Sequence, residues 1–117
     1  MRQQISRDEA EGYLQMGEDD LYEMLVPEHL KEQLFSREGV VDQGKQLFVN
    51  ALRSSRSAIC RQYAASKDSV RDSVELMGVV LAAIPALHCP LLPVAALVVK
   101  IGIDQICKGW TDEQQSP

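Results

Sequence analysis

Aromatic side chains are scarce: one Trp, three Tyr and two Phe in 117 residues. A surface that stacks nucleic-acid bases needs exposed rings, so this shortage argues against one. Cysteine is scarce too. Cys60, Cys89 and Cys107 lie far apart, with no CxxC. Three thiols are too few for a disulfide scaffold and leave one over, so a reducing, cytoplasmic setting is the simpler expectation. No segment alternates polar and apolar residues between hairpin turns, which predicts little or no sheet. The first nine residues contain no apolar run, so no secretory signal is expected.

Familiar chemical motifs are missing as well. There is no P-loop, GxGxxG, GxSxG or HExxH. The acidic residues between Glu9 and Glu23 lack the alternating acids and central glycine of a calcium loop. A structural zinc site takes four ligands, and the five His and Cys residues are dispersed, with only His88 and Cys89 adjacent. That pair is read as an inter-helix loop. A catalytic thiol needs a base and a group that orients the base, and no acid lies between Glu75 and Asp104. The expectation is no enzyme, no cofactor and no metal.

What is present is a chain with 45% hydrophobic and 25% charged residues, ordinary for a globular domain. The net charge of −5 is unevenly spread. Residues 1–35 hold nine acids and three bases, whereas residues 36–75 hold seven bases and five acids. An acidic chain without a concentrated basic patch repels phosphate backbones, so nucleic acid is not an expected partner.

Periodicity predicts an all-α bundle of five to six helices over residues 1–110, with residues 111–117 as a frayed polar tail. Ser6 and Glu9 match a capping box, opening a first helix with Tyr13 and Leu14 on its apolar face. Gly17 ends it. Glu18, Asp19 and Asp20 suit the start of a second helix, with Leu21, Met24 and Leu25 inward. Pro27 fits the first turn of a third, carrying Leu30, Leu34 and Phe35. From about Arg37 to Ala65 apolar residues recur every three or four positions, the mark of one long helix. Asp68 is a candidate N-cap for the next helix, whose seam is Val70, Val74, Met77, Leu81 and Ile84. Pro85 stops it. A last helix is expected from near Pro93 to about Lys108, with Lys100, Asp104 and Lys108 as one polar stripe and Gly109 as its cap.

Leu76 to Val99 is 24 residues long and uncharged. A membrane-spanning helix needs about 20 apolar residues, but Pro85, Pro90 and Pro93 divide this run. It is read as a buried helical hairpin, with membrane activity as an alternative.

The residues singled out for interaction are Arg53, Arg56, Cys60, Leu97, Ile101, Ile103 and Trp110. Leu97, Ile101, Ile103 and Trp110 belong to an apolar last third that exceeds the needs of a short hairpin, and apolar surface marks interfaces. Cys60 falls on the polar side of the long helix near Arg53 and Arg56, where positive charge favours a reactive thiolate. A redox switch there is a further reading. Val49 on the same side suggests that a second element covers this face. The leading expectation is a non-enzymatic interaction module, an adaptor or small accessory subunit that binds a partner protein or a second copy through helix faces.

Overall fold

The computed structural model describes residues 6–34, 36–84 and 90–110. These residues form seven helices and no strand: α1 (Arg7–Gln15), α2 (Glu18–Leu25), α3 (Glu28–Lys31), α4 (Arg37–Ser66), α5 (Ser73–Ala83), α6 (Leu91–Ile101) and α7 (Ile103–Ile106). The fold is an all-α bundle.

Local chemistry sets the helix starts. Ser6 Oγ accepts the Glu9 N–H at 3.1 Å, and Ser36 Oγ accepts the Gly39 N–H at 3.1 Å. Each satisfies a first-turn donor that has no partner within the helix. The N-cap of α5 is Asp72, which accepts from Glu75 N–H at 2.9 Å. Asp68 does not serve. After Ser66 the chain turns, with Ser69 and Val70 both donating to the Ser66 carbonyl. The helix therefore begins four residues later than its first eligible cap. Arg7 pairs with Asp72 and ties the first turn of α1 to the start of α5.

The core gathers around α6, where residues 93–98 are all buried. Helices α1, α2 and α5 pack on it, and α4 lies along α2 and α5. Met77, Val80, Leu81 and Ile84 of α5 meet this centre from one side, and Leu21 and Leu25 of α2 from another. Aliphatic residues fill most of it. Ala10 is the buried residue of α1, while Tyr13 and Leu14 are half-buried against the same core. The uncharged run of the sequence thus supplies the interior through two helices of 11 residues each. No helix among the described residues is long and apolar enough to cross a membrane.

The third helix is a single turn, shorter than its leucine spacing suggested. Phe35, the 85–89 segment with His88 and Cys89, and the 111–117 tail lie outside the described residues. At the C-terminal end the structure departs from the expected continuous helix. Gly102 has φ +109° and breaks it after Ile101. A side chain with a Cβ is strained there, so glycine is the residue that fits. The four-residue spacing of Lys100, Asp104 and Lys108 is therefore not one helical stripe. Lys100 Nζ reaches back to the Leu14 carbonyl at 2.9 Å, whereas Asp104 lies beside Tyr63.

Helices α2 and α4 meet at Gly44. A Cβ built on Gly44 would stand 2.1 Å from the Tyr22 carbonyl oxygen. Around this contact the Tyr22 and Phe48 rings meet edge to face at 5.8 Å. The Lys45 ammonium stands 5.8 Å from the centre of the Tyr22 ring. Arg37 closes the joint by pairing with Asp20 and Glu23 at 2.6 and 3.0 Å. The acidic N-terminal third thus finds a basic partner on α4, though not among the bases that the sequence had singled out.

Candidate functional site

One side of helix α4 carries two stretches of functional interest, a C-terminal one that is covered and an N-terminal one that is open. The first holds Arg56, Cys60 and Tyr63, at spacings of four and three, so their side chains share one side of the helix. Facing them is the short α7 and the turn after it. Cys60 is bonded to Cys107, with Cα atoms 5.6 Å apart and a sequence separation of 47. Cys60 is therefore not a free thiol. The pairing had no signature in the local sequence, because it depends on the chain reversing at Gly102.

Two further contacts flank the disulfide. Arg56 Nε donates to the Ile106 carbonyl and its Nη2 to the Lys108 carbonyl, both at 2.8 Å. These acceptors bracket Cys107, so one guanidinium grips the chain on either side of it. They are carbonyls that a short helix end leaves without an intrahelical donor. The Tyr63 hydroxyl lies near the Asp104 carboxylate. Partial burial and that neighbouring negative charge both push its pKa up. Cys60 is 1% exposed, whereas Cys107 is only partly buried. The positively surrounded, open thiol expected at position 60 is instead a covered sulfur in a bond.

The second stretch, nearer the N-terminus on the same side of α4, points to solvent. Asp42, Lys45, Gln46, Val49 and Arg53 recur at helical spacing and are all exposed. The first four line a shallow recess. Val49 is 50% exposed; among the described residues Met24 is the other large apolar side chain that is exposed. No second element among the described residues covers Val49, contrary to the expectation from sequence.

The remaining candidates scatter. Leu97 is fully buried and Ile103 nearly so, both facing the protein's own core. Ile101 is partly buried against it. Trp110 is partly buried beyond α7, its N–H donating to the Cys107 carbonyl at 2.9 Å. Its indole Nε1 is buried without a hydrogen-bond partner among the described residues. Arg56, Cys60, Ile103 and Trp110 are thus grouped by the α7 attachment, Arg53 belongs to the solvent face, and Leu97 and Ile101 belong to neither.

Among the described residues no three His, Cys, Asp or Glu side chains converge to hold a metal ion. A cleft between α4 and α5, lined by Gln62, Ser66, Ser69, Val70, Glu75, Gly78, Val79 and Ala82, has one carboxylate. Glu75 already accepts from the Arg71 N–H at 3.0 Å, so that carboxylate is engaged in holding the turn before α5. Comparison with protein-family models, with curated proteins and with solved structures finds no match to this chain.

Proposed function

We propose that the protein is a non-enzymatic interaction module that docks a partner protein on the solvent face of α4. The observation that carries this reading is Val49, half exposed in the middle of a helix and bracketed by Lys45 and Arg53. An apolar centre with a charged rim is the usual anatomy of a protein interface. The fitting partner is an amphipathic helix with an aliphatic residue for Val49 and carboxylates for Lys45 and Arg53. A cytoplasmic setting belongs to the proposal. It is supported by the low cysteine content, and in that compartment a disulfide is conditional rather than permanent.

The test is photocrosslinking in cells with a photoreactive residue at position 49 and, as a control, at Glu11 on the exposed side of α1. A discrete adduct from position 49, lost with Arg53→Glu, is the expected result. An adduct from position 11 with none from 49 would place the partner elsewhere and sink the α4 reading. If the adduct is a second copy of the chain, the module is a homo-oligomer. Light scattering after size exclusion then has to show a dimer that Val49→Glu dissociates.

A further inference from the structure

We infer that the Cys60–Cys107 bond is a redox-operated latch: a dithiol reductant opens it and releases residues 103–110 from α4 while the rest of the bundle stays folded. The inference goes beyond the docking reading and stands without it.

Residues 103–110, the hook, contribute little to the core. Helix α7 is four residues long and places only Ile103 among the buried residues. A single helical turn has no stability of its own. Glycines with positive φ bound it, Gly102 at +109° and Gly109 at +80°. At both, the backbone can take conformations closed to other residues, so the hook can swing without disturbing α6. Besides the disulfide, the hook is held by the two Arg56 hydrogen bonds, the Tyr63–Asp104 pair, the burial of Ile103 and the partial burial of Ile106 and Cys107. Of these residues only Ile103 enters the buried cluster in which α1, α2, α5 and α6 meet.

Access decides which sulfur is attacked. Cys60 is 1% exposed, and Cys107 is the less buried of the two partners. A thiolate of the reductant bonds to Cys107 Sγ. The Cys60–Cys107 bond breaks, and its electron pair leaves on Cys60 Sγ, which takes a proton. The second thiol of the reductant then attacks the mixed disulfide and closes a new disulfide within the reductant. Cys107 departs as a thiolate and is protonated. The protein gains two electrons and two protons, and the dithiol loses the same. Once the hook is free, the Arg56 guanidinium loses both carbonyl acceptors. It stands three residues from Arg53, so opening adds a second available cation at the end of the solvent face.

The experiment compares the full chain in a Cys89→Ser background, oxidised and after dithiothreitol. Mass spectrometry with alkylation counts the thiols, and hydrogen exchange reads the amides. The oxidised protein should label at no cysteine and the reduced protein at two. Reduction should speed exchange of the Ile106, Cys107 and Trp110 amides by at least ~10-fold, as a local opening does. The peptides of α2 and α6 should stay protected while the hook exchanges, any rise there being smaller than in the hook. In the oxidised protein Arg56→Ala should leave the hook protected; in the reduced protein it should speed exchange there further. A uniform rise across α2, α6 and the hook would make the bond a global staple and overturn the latch. Unchanged exchange in the hook would overturn it too, as would two alkylated thiols before reduction. Because the reduced chain keeps both Cys60 and Cys107, the result does not depend on whether a serine at either of those positions folds.

Discussion

Near its start α4 meets α2 at Gly44 with no side chain between the two backbones. Near its end it meets α7 through a disulfide, two hydrogen bonds from one arginine and a tyrosine. The first joint is made of shape. It depends on the absence of a Cβ and on rings and charges arranged around that gap, so it holds only while both helices are formed. The second joint is made of discrete bonds to a segment that adds little to the core. One chemical reaction can undo it without repacking anything. A single helix thus carries one joint fixed by packing and one that redox chemistry can release.

The largest effect expected from breaking this contrast is at the covalent joint. The disulfide closes a loop with a sequence separation of 47, for which the chain-entropy relation gives about 4 kcal/mol. Cys60→Ser combined with Cys107→Ser should lower stability in urea by up to that amount, with the helical circular dichroism of the folded protein retained. A chain that no longer folds at all would show that both joints are structural. Next comes the joint made of shape. Gly44→Ala drives a Cβ against the Tyr22 backbone, which cannot yield as a flexible side chain does. The expected loss is about 3 kcal/mol, at the upper end for overpacking. A melting temperature within a degree of wild type would mean that α2 and α4 can separate freely, and the contrast would fail.

Arg56→Ala is expected to be milder in the oxidised protein, about 1 kcal/mol, because its hydrogen bonds are charge-assisted but partly exposed. Its cost should be larger after reduction, and equal costs in both states would show that the arginine and the disulfide act independently. The smallest effect lies outside both joints and calibrates them. The Asp72 carboxyl is held below its ordinary value first by the Glu75 backbone N–H and then by the Arg7 guanidinium. A lowered folded-state value means that its stabilisation is complete above the ordinary carboxylate range, about 3.9. It is then lost as pH falls through the lowered value. Acid titration of stability should show this component, and Asp72→Asn should remove it while leaving hydrogen exchange in the hook unchanged.

Much of this architecture was legible in the sequence where the controlling interactions are local. The long helix was placed at about Arg37 to Ala65 and spans Arg37–Ser66, since unbroken spacing and a serine cap decide it within a few residues. The capping role of Ser6 and the burial of Met77, Leu81 and Ile84 were readable for the same reason. Where two local answers compete, tertiary contacts choose. Asp68 and Asp72 are both competent caps, and the turn at Ser66 together with Arg7 selects the second. The periodicity predicts one helix from near Pro93 to about Lys108, yet the helix breaks at Gly102, ahead of the turn that carries Cys107 to Cys60. The grouping of Arg56, Cys60 and Tyr63 on one side was implicit in their spacing, but nothing local says what covers them. Leu97 and Ile103 were read as surface because their hydrophobicity exceeded the needs of a hairpin. The structure places both in the core, on and beside the central α6.

The Cys60–Cys107 bond also has a mechanical meaning. Tension applied between the two ends of the chain runs along α4 to Cys60, crosses the sulfur bridge and leaves through Cys107. Helices α5 and α6 lie on the bypassed branch, so they bear no load while the bridge is closed. The 47 positions it spans correspond to about 160 Å of extended chain. That length is hidden from a pulling force in the oxidised protein and released in the reduced one, which makes the same bond a control on how far the molecule can stretch.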